Sequence, residues 1–222
     1  MTPSGEGVPT SRLDPSAEAP LPASPESARR LRPGSGGNPA LERLAGLAAR
    51  LLATPSSQVS LLTDVQTVAA GAGLSVGAIG GDSPLADSLC TVTASHGVPL
   101  VIADAPSDER VAHLPPVVSG AVGSYLGVPL VADDGHTVGA LCVFDPTPRP
   151  WAPSDVLLLQ QLAASAVAEL ELSALSSEYE TGRLLWQLAI DAADIGTFDW
   201  DLGSGALTWD DRLLELFGYQ RE

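Results

Sequence analysis

The chain contains no lysine: its 11 basic residues are all arginine, set against 27 acids, for a net charge of −16 over 222 residues. A deficit of that size excludes the basic face needed to neutralise nucleic-acid phosphates. It equally disfavours an anionic membrane surface, and the surplus acid acts mainly through solubility and mutual repulsion. Cysteine is scarce. Cys90 and Cys142 form no CxxC and have no histidine at zinc-ligand spacing, and two thiols cannot supply the four ligands of an iron–sulfur cluster. Catalytic signatures are missing as well: there is no GxxxxGK[ST] phosphate loop and no GxSxG elbow. His96, His113 and His136 sit in SHGVP, AHLPP and DGHTV, without the acid and proline expected around a phospho-accepting histidine. No catalytic residue and no metal ligand is assigned. The N-terminus lacks a basic start followed by an apolar run, so no secretory signal is expected.

What is present divides into four sections. Residues 1–38 are rich in Pro, Gly, Ser and Ala and are expected to be a disordered tail. From Pro39, Leu41, Leu44, Leu47, Ala48, Leu51 and Leu52 recur at helical spacing, ending before Thr54-Pro55. Gln58–Thr63 and Thr67–Gly71 read as strands. The stretch 120–145 reads as a hairpin around Asp133-Asp134-Gly135-His136, where Asp134-Gly135 signals a tight primed turn. In its outgoing strand Val138, Ala140, Cys142 and Phe144 alternate with Gly139, Leu141 and Val143, so both faces should be covered. Val111–Ala132 is apolar and long enough to span a bilayer, yet Pro115, Pro116 and Pro129 with three glycines make a buried strand the expectation.

The GVPL strand paired with GALCVFD, followed by a tryptophan and a long helix, resembles the closing half of a GAF domain. Pro84–Gly97 (PLADSLCTVTASHG) resembles that family's serine–cysteine helix, and Pro99–Asp104 the strand after it. The resemblance covers roughly residues 40–175, with the domain placed at 39–152. It implies an α+β fold, a central antiparallel sheet flanked by helices and a long connecting helix, that binds small molecules or senses chemical state. On that resemblance the ligand-pocket candidates are Ser88, Cys90, Asp104 and Tyr125, with the 84–119 segment as a lid. The two thiols read as small buried apolar groups; alternatively one of them is a redox sensor or tetrapyrrole attachment point, Cys90 being the one on the helix that would line the pocket. A haem would need His96, His113, Cys90 or Tyr125 as its axial ligand.

Pro153 with Ser154 and Asp155 suits a helix start. Val156, Leu159, Ala163, Ala166 and Leu170 form a three-four strip for a signalling helix, while Leu158 and Leu162 suggest a second apolar face for a partner chain. Continuation through Leu172, Leu175, Leu184 and Leu188 suggests a coiled connector over 153–187 and a homodimer. A charge at Leu159 or Ala163 is expected to uncouple sensing from output. Residues 188–222, with the WD…LFGY ending, resemble the first third of a PAS domain, so the chain is read as the front of a longer polypeptide.

GAF followed by PAS, with SLLTDVQTVAAGAG and SYLGVPL, resembles the sensory front of actinobacterial SpoIIE-type, PP2C-like serine/threonine phosphatases. That resemblance implies a cytoplasmic signal-transduction protein, its effector and effector metals lying past Glu222. A histidine kinase, a diguanylate cyclase or a haem- or redox-cofactor-binding GAF sensor are the alternatives. No cofactor is required by these residues, and the ligand is an unidentified small molecule.

Overall fold

Local chemistry starts each element of the computed structural model, which describes residues 21–34 and 37–219. Helix α2 (Pro39–Leu51) is capped by Asn38, whose Oδ1 accepts from the amides of Ala40 at 2.9 Å and Leu41 at 3.2 Å, with proline in the first turn. Its buried stripe is Leu41, Ala45, Ala48, Ala49 and, past the helix, Leu52. Leu44 and Leu47 are half-buried and Leu51 is exposed. The sequence pattern counted Leu51 as apolar face, but at 100° per residue it lies off the line through 41, 45, 48 and 52.

Strands β2 (Ser56–Leu62) and β3 (Gln66–Ala72) form a hairpin, and the short β4 (Asp82–Ser83) adds to β3. Helix α3 (Leu89–His96) follows, ending on Gly97 at φ 65°. Next come β5 (Leu100–Ile102), the short helix α4 (Pro115–Val118), β6 (Ser124–Val131) and β7 (His136–Asp145). The sheet order is β4-β3-β2-β7-β6-β5, every neighbour antiparallel. The central β7 is apolar on both faces and buried along most of its length, as its alternation implies. The apolar stretch 111–132 is used within the domain, as loop, α4 and β6.

The turn between β6 and β7 differs from the primed turn expected. The amide of Gly135 donates to the Ala132 carbonyl at 2.9 Å, and of the turn residues only Gly135 has positive φ, 82°. That is a type I turn closed by a glycine bulge, and the pairing register shifts beside it between Leu130 and Val131. An Asp-Gly pair serves either turn; the number of residues left between the paired strands selects which.

The expected tail also differs. Residues 1–20 and 35–36 lie outside the described residues, but Leu21–Ala23 (β1) runs parallel to the start of β7, and α1 (Pro25–Arg30) follows it. Ala28 and Leu31 are buried, and Ser27 Oγ donates to Asp134 Oδ2 at 2.6 Å. Few large apolar residues are needed when a small patch docks on a preformed hairpin.

Helix α5 (Pro153–Ala193) starts with the Ala152 amide donating to Asp155 Oδ2 at 2.9 Å. Trp151 Nε1 donates to the Ile102 carbonyl at 3.0 Å and carries the Arg149 guanidinium 4.6 Å above its ring, which pins the chain before the helix. Leu159, Ala163, Ala166 and Leu170 are buried, Val156 half-buried. Leu162 and Val167 are buried too, so the face used by the domain is wider than the three-four strip. Leu162, expected on a partner-facing side, belongs to its own domain. Asn38 Nδ2 donates to Glu169 Oε1 at 3.2 Å, joining the start of α2 to α5. Among the described residues, the stretch Pro153–Ile190 is the one helix long and apolar enough to cross a membrane by length and composition.

The chain divides at Leu170 into two units. In the second, β8 (Phe198–Trp200) pairs antiparallel with β9 (Leu207–Trp209), and α6 (Asp211–Leu216) follows. Asp210 organises it: Oδ2 accepts from the Thr197 amide at 2.7 Å, and Oδ1 caps α6 through the Leu213 amide at 2.7 Å. Trp209 meets Phe217 at 5.3 Å between centroids. Phe198, Trp200, Leu207 and Phe217 are exposed.

Candidate functional site

One face of the sheet carries α3 and the 104–119 segment. Leu89 and Cys90 of α3, Leu100 and Ile102 of β5, Tyr125 of β6, and Ala140 and Cys142 of β7 form a buried cluster sealed by Val111, Leu114 and Val117. The lid segment thus covers the sheet with its own apolar side chains.

Ser88, Cys90 and Tyr125 come together here. Ser88 caps α3, its Oγ accepting from the amides of Cys90 at 3.0 Å and Thr91 at 3.3 Å, while it donates to Gln66 Oε1. Cys90 is therefore held in the first turn, where the helix end favours a thiolate. Its Sγ lies 3.7 Å from Cys142 Sγ and 3.7 Å from Tyr125 Oη. Tyr125 Oη also stands 2.8 Å from Thr93 Oγ1, which donates to the Leu89 carbonyl at 3.0 Å. Because Thr93 has spent its one proton on Leu89, the Tyr125 hydroxyl is the donor to its neighbours, and its proton is shared between Thr93 Oγ1 and Cys90 Sγ. The ring of Tyr125 fits because Gly127 follows it on the same face: a Cβ there would stand 2.3 Å from Oη.

The two thiols are unequal. The hydrogen bond from Cys142, joined by those of Ser60, Tyr125 and Ser88, outweighs burial and lowers the Cys90 pKa to about 7. Cys142, hydrogen-bonded to Cys90 and fully desolvated, is raised well above the ordinary thiol value. Desolvation first, and the neighbouring thiols second, raise Tyr125 as well.

Asp104 stands apart. It is exposed, and its Oδ2 accepts from Ser107 Oγ at 2.9 Å in the loop after β5. Cys142 completes the cluster that the candidate residues began; its LCVFD context gave no signal of its nearness to Cys90, 52 positions away. His96 and His113 are exposed. The inward-facing haem-ligand candidates, Cys90 and Tyr125, touch each other and Cys142, so these residues do not fit a haem between them. Among the described residues no three His, Cys, Asp or Glu converge as a metal site.

Two clefts lie elsewhere. One of about 390 Å³ is bounded by Gly97–Pro99, by Val128, Pro129 and Val131, and by Gln160, Ala163, Ala164 and Val167 of α5. Another of about 470 Å³ lies against Thr67–Ala69, Ile79 and Gly80.

An antiparallel sheet with a helix-and-lid layer on one face, and a long helix leaving the domain, defines a class of small sensory α+β domains. The GAF domain family model matches residues 38–170, and the chain belongs to the GAF domain family. GAF domains are typical of sensory and regulatory signalling proteins. The GAF domain of a Coxiella burnetii phosphoenolpyruvate-protein phosphotransferase superposes with a TM-score of 0.56 at 17% identity, over 69% of this chain and 95% of that one. The free methionine-R-sulfoxide reductase of Neisseria meningitidis, solved in complex with its substrate, gives 0.51 at 19%, over 61% and 78%. The GAF-B domain of DevS from Mycobacterium smegmatis gives 0.50 at 16%, over 70% and 99%. At such identities the likeness is one of fold. No match is found among curated proteins.

Proposed function

We propose that this chain is the sensory and regulatory segment of a cytoplasmic signal-transduction protein, in which the GAF domain controls a C-terminal effector through α5. The observation that carries it is the division of labour along that helix. Between 159 and 170 one face is buried in the GAF domain through Leu159, Leu162, Ala163, Ala166, Val167 and Leu170, whereas Leu172, Leu175, Tyr179 and Trp186 are exposed. Those four, with Gly182, alternate by three and four residues, the spacing of a coiled-coil seam. A homodimer along this seam follows, with Leu184 and Leu188 also exposed on the same helix.

The strand–turn–strand–helix order over 198–216 supports the reading of 188–222 as the opening of a PAS domain. Its exposed aromatics are those the remaining strands and helix of such a domain would cover. The GAF–connector–PAS order supports a SpoIIE-type serine/threonine phosphatase as the effector, ahead of a histidine kinase or diguanylate cyclase. A shift of α5 transmits a signal only insofar as the signal stabilises one arrangement over the other.

Sedimentation of the chain and of its Leu172→Glu/Leu175→Glu variant tests the connector. A wild-type dimer that becomes a folded monomer is expected; a wild-type chain monomeric at tens of micromolar would refute the seam. For the effector, the native protein carrying this chain is assayed for metal-dependent hydrolysis of a phosphoserine peptide. Autophosphorylation or cyclic dinucleotide synthesis instead would assign a different output.

A further inference from the structure

The best-formed chemical group in the molecule is one that the sensory reading does not use: two cysteines, distant in sequence, held thiol to thiol in a buried setting with a neighbouring phenol. Cys90 and Cys142 are 3% and 2% exposed with sulfurs 3.7 Å apart, and both are free thiols. One comes from the first turn of a capped helix and the other from the central strand, so a bond between them would join two elements that already pack against each other. A disulfide requires about 2.05 Å.

We infer that Cys90 and Cys142 form a hydroperoxide-reactive dithiol, Cys90 attacking and Cys142 resolving. The Cys90 thiolate attacks one oxygen of the hydroperoxide; the O–O bond breaks and the leaving alkoxide or hydroxide takes up a proton. Cys90 is then a sulfenic acid. The sulfur of Cys142 attacks the Cys90 sulfur, the S–O bond breaks, and the departing hydroxide takes the Cys142 proton and leaves as water. The two sulfurs have together given up two electrons, and the O–O bond has accepted them. The net change is two thiols and one hydroperoxide to one disulfide, one alcohol (or water) and one water.

The surroundings favour that division of roles. Cys90 has the helix end and the Tyr125, Ser60 and Ser88 hydroxyls around it, and its thiolate forms near neutral pH. Cys142, raised instead, keeps its proton until the sulfenic acid is in place. The Tyr125 hydroxyl, able to turn from Thr93 to Cys90, gives a donor to the thiolate and to the leaving oxygen. Sealing by Val111, Leu114 and Val117 admits hydrogen peroxide more readily than a bulky hydroperoxide. The product ties α3 to β7 across 52 positions. It would supply a chemical signal for the sensory reading without depending on it, since the reaction concerns this chain alone.

The test uses the whole 222-residue chain, reduced and freed of reductant. Hydrogen peroxide in modest excess should remove both thiols, lower the intact mass by two hydrogens, and yield a Cys90–Cys142 peptide that dithiothreitol separates. The rate should rise through about pH 7, where Cys90 ionises, and fall at least about tenfold with cumene hydroperoxide. In Cys142→Ala the mass should instead gain one oxygen, trapped by dimedone on Cys90, and Cys90→Ser should leave Cys142 at least about tenfold less reactive. Two titratable thiols persisting in the folded wild-type chain, a disulfide only between chains, or sulfenic acid on Cys142 would each overturn the proposal. Wild-type chemistry is decisive even if a variant fails to fold, and a working dithiol in a monomeric chain would separate this result from failure of the connector.

Discussion

Replacing Gly127 with alanine tests the packing of the site most directly. The added Cβ would stand 2.3 Å from Tyr125 Oη, 2.6 Å from its Cε1 and 2.7 Å from Thr93 Oγ1, all closer than real Cβ atoms come. Tyr125 is 1% exposed and fills the space between sheet and α3, so it has nowhere to retreat without opening the cluster. Overpacking of this kind costs ~1–3 kcal/mol. Breaking the Tyr125–Thr93 hydrogen bond in a dry setting adds ~1–3 kcal/mol. Removing glycine's freedom from the unfolded chain returns only about 0.4–1 kcal/mol. A net loss of about 1–5 kcal/mol is expected, its middle corresponding to on the order of a 10 °C drop in melting midpoint for a domain of this size. Urea unfolding followed by circular dichroism measures it, with hydrogen exchange of the β6 amides placing the loss. Gly46→Ala in α2 is the control: its Cβ would meet only the Arg50 side chain, at an ordinary 3.7 Å, so it should gain ~0.5–1 kcal/mol of helix stability. A Gly127→Ala protein within about 0.5 kcal/mol of wild type would refute the packing described, since that is the scatter of unconstrained surface positions.

Other outcomes follow from the same contacts. The hydrogen bond from Ser27, and then the His136 amide, hold the Asp134 carboxyl below its ordinary value. A depressed folded-state pKa contributes stability above the unfolded value and loses it as pH falls through the folded one. Protection of the Ser27–Leu31 amides should therefore be constant above about pH 4 and decline below it, and Ser27→Ala should flatten the decline; an unchanged profile in that variant would remove the contact from the account. The expectation that a charge at Leu159 or Ala163 uncouples signalling must be revised, because both side chains are buried within the GAF domain. Leu159→Asp should unfold the domain, a buried unpaired charge costing several kcal/mol, whereas Leu157→Asp, at an exposed position of the same helix outside the proposed seam, should leave its melting midpoint unchanged. A soluble, cooperatively melting Leu159→Asp protein would show that the α5 face is not core.

What was legible in the sequence was local. Alternation in β7 showed a strand covered on both faces, Pro153 and Asp155 marked the start of α5, and Gly and Pro spacing ruled out a continuous helix through 111–132. These depend on neighbours within a few residues, whose sterics and periodicity act wherever the chain goes. The helix stripes were legible only in part, since which leucine lies at the centre of a buried face depends on what the helix packs against: Leu51 turned outward and Leu162 inward. Docking of 21–34 rests on Ser27 meeting Asp134, 107 positions away, and composition carries no trace of it. The site itself was half visible. Ser88, Cys90 and Tyr125 were named from a motif, but Asp104 faces solvent, and Cys142 entered only because strand pairing sets it opposite Gly127, beneath the first turn of α3. Residue identity determines what a thiol or phenol can do; only the register of the sheet and the close packing of the helix on it decided which of them meet.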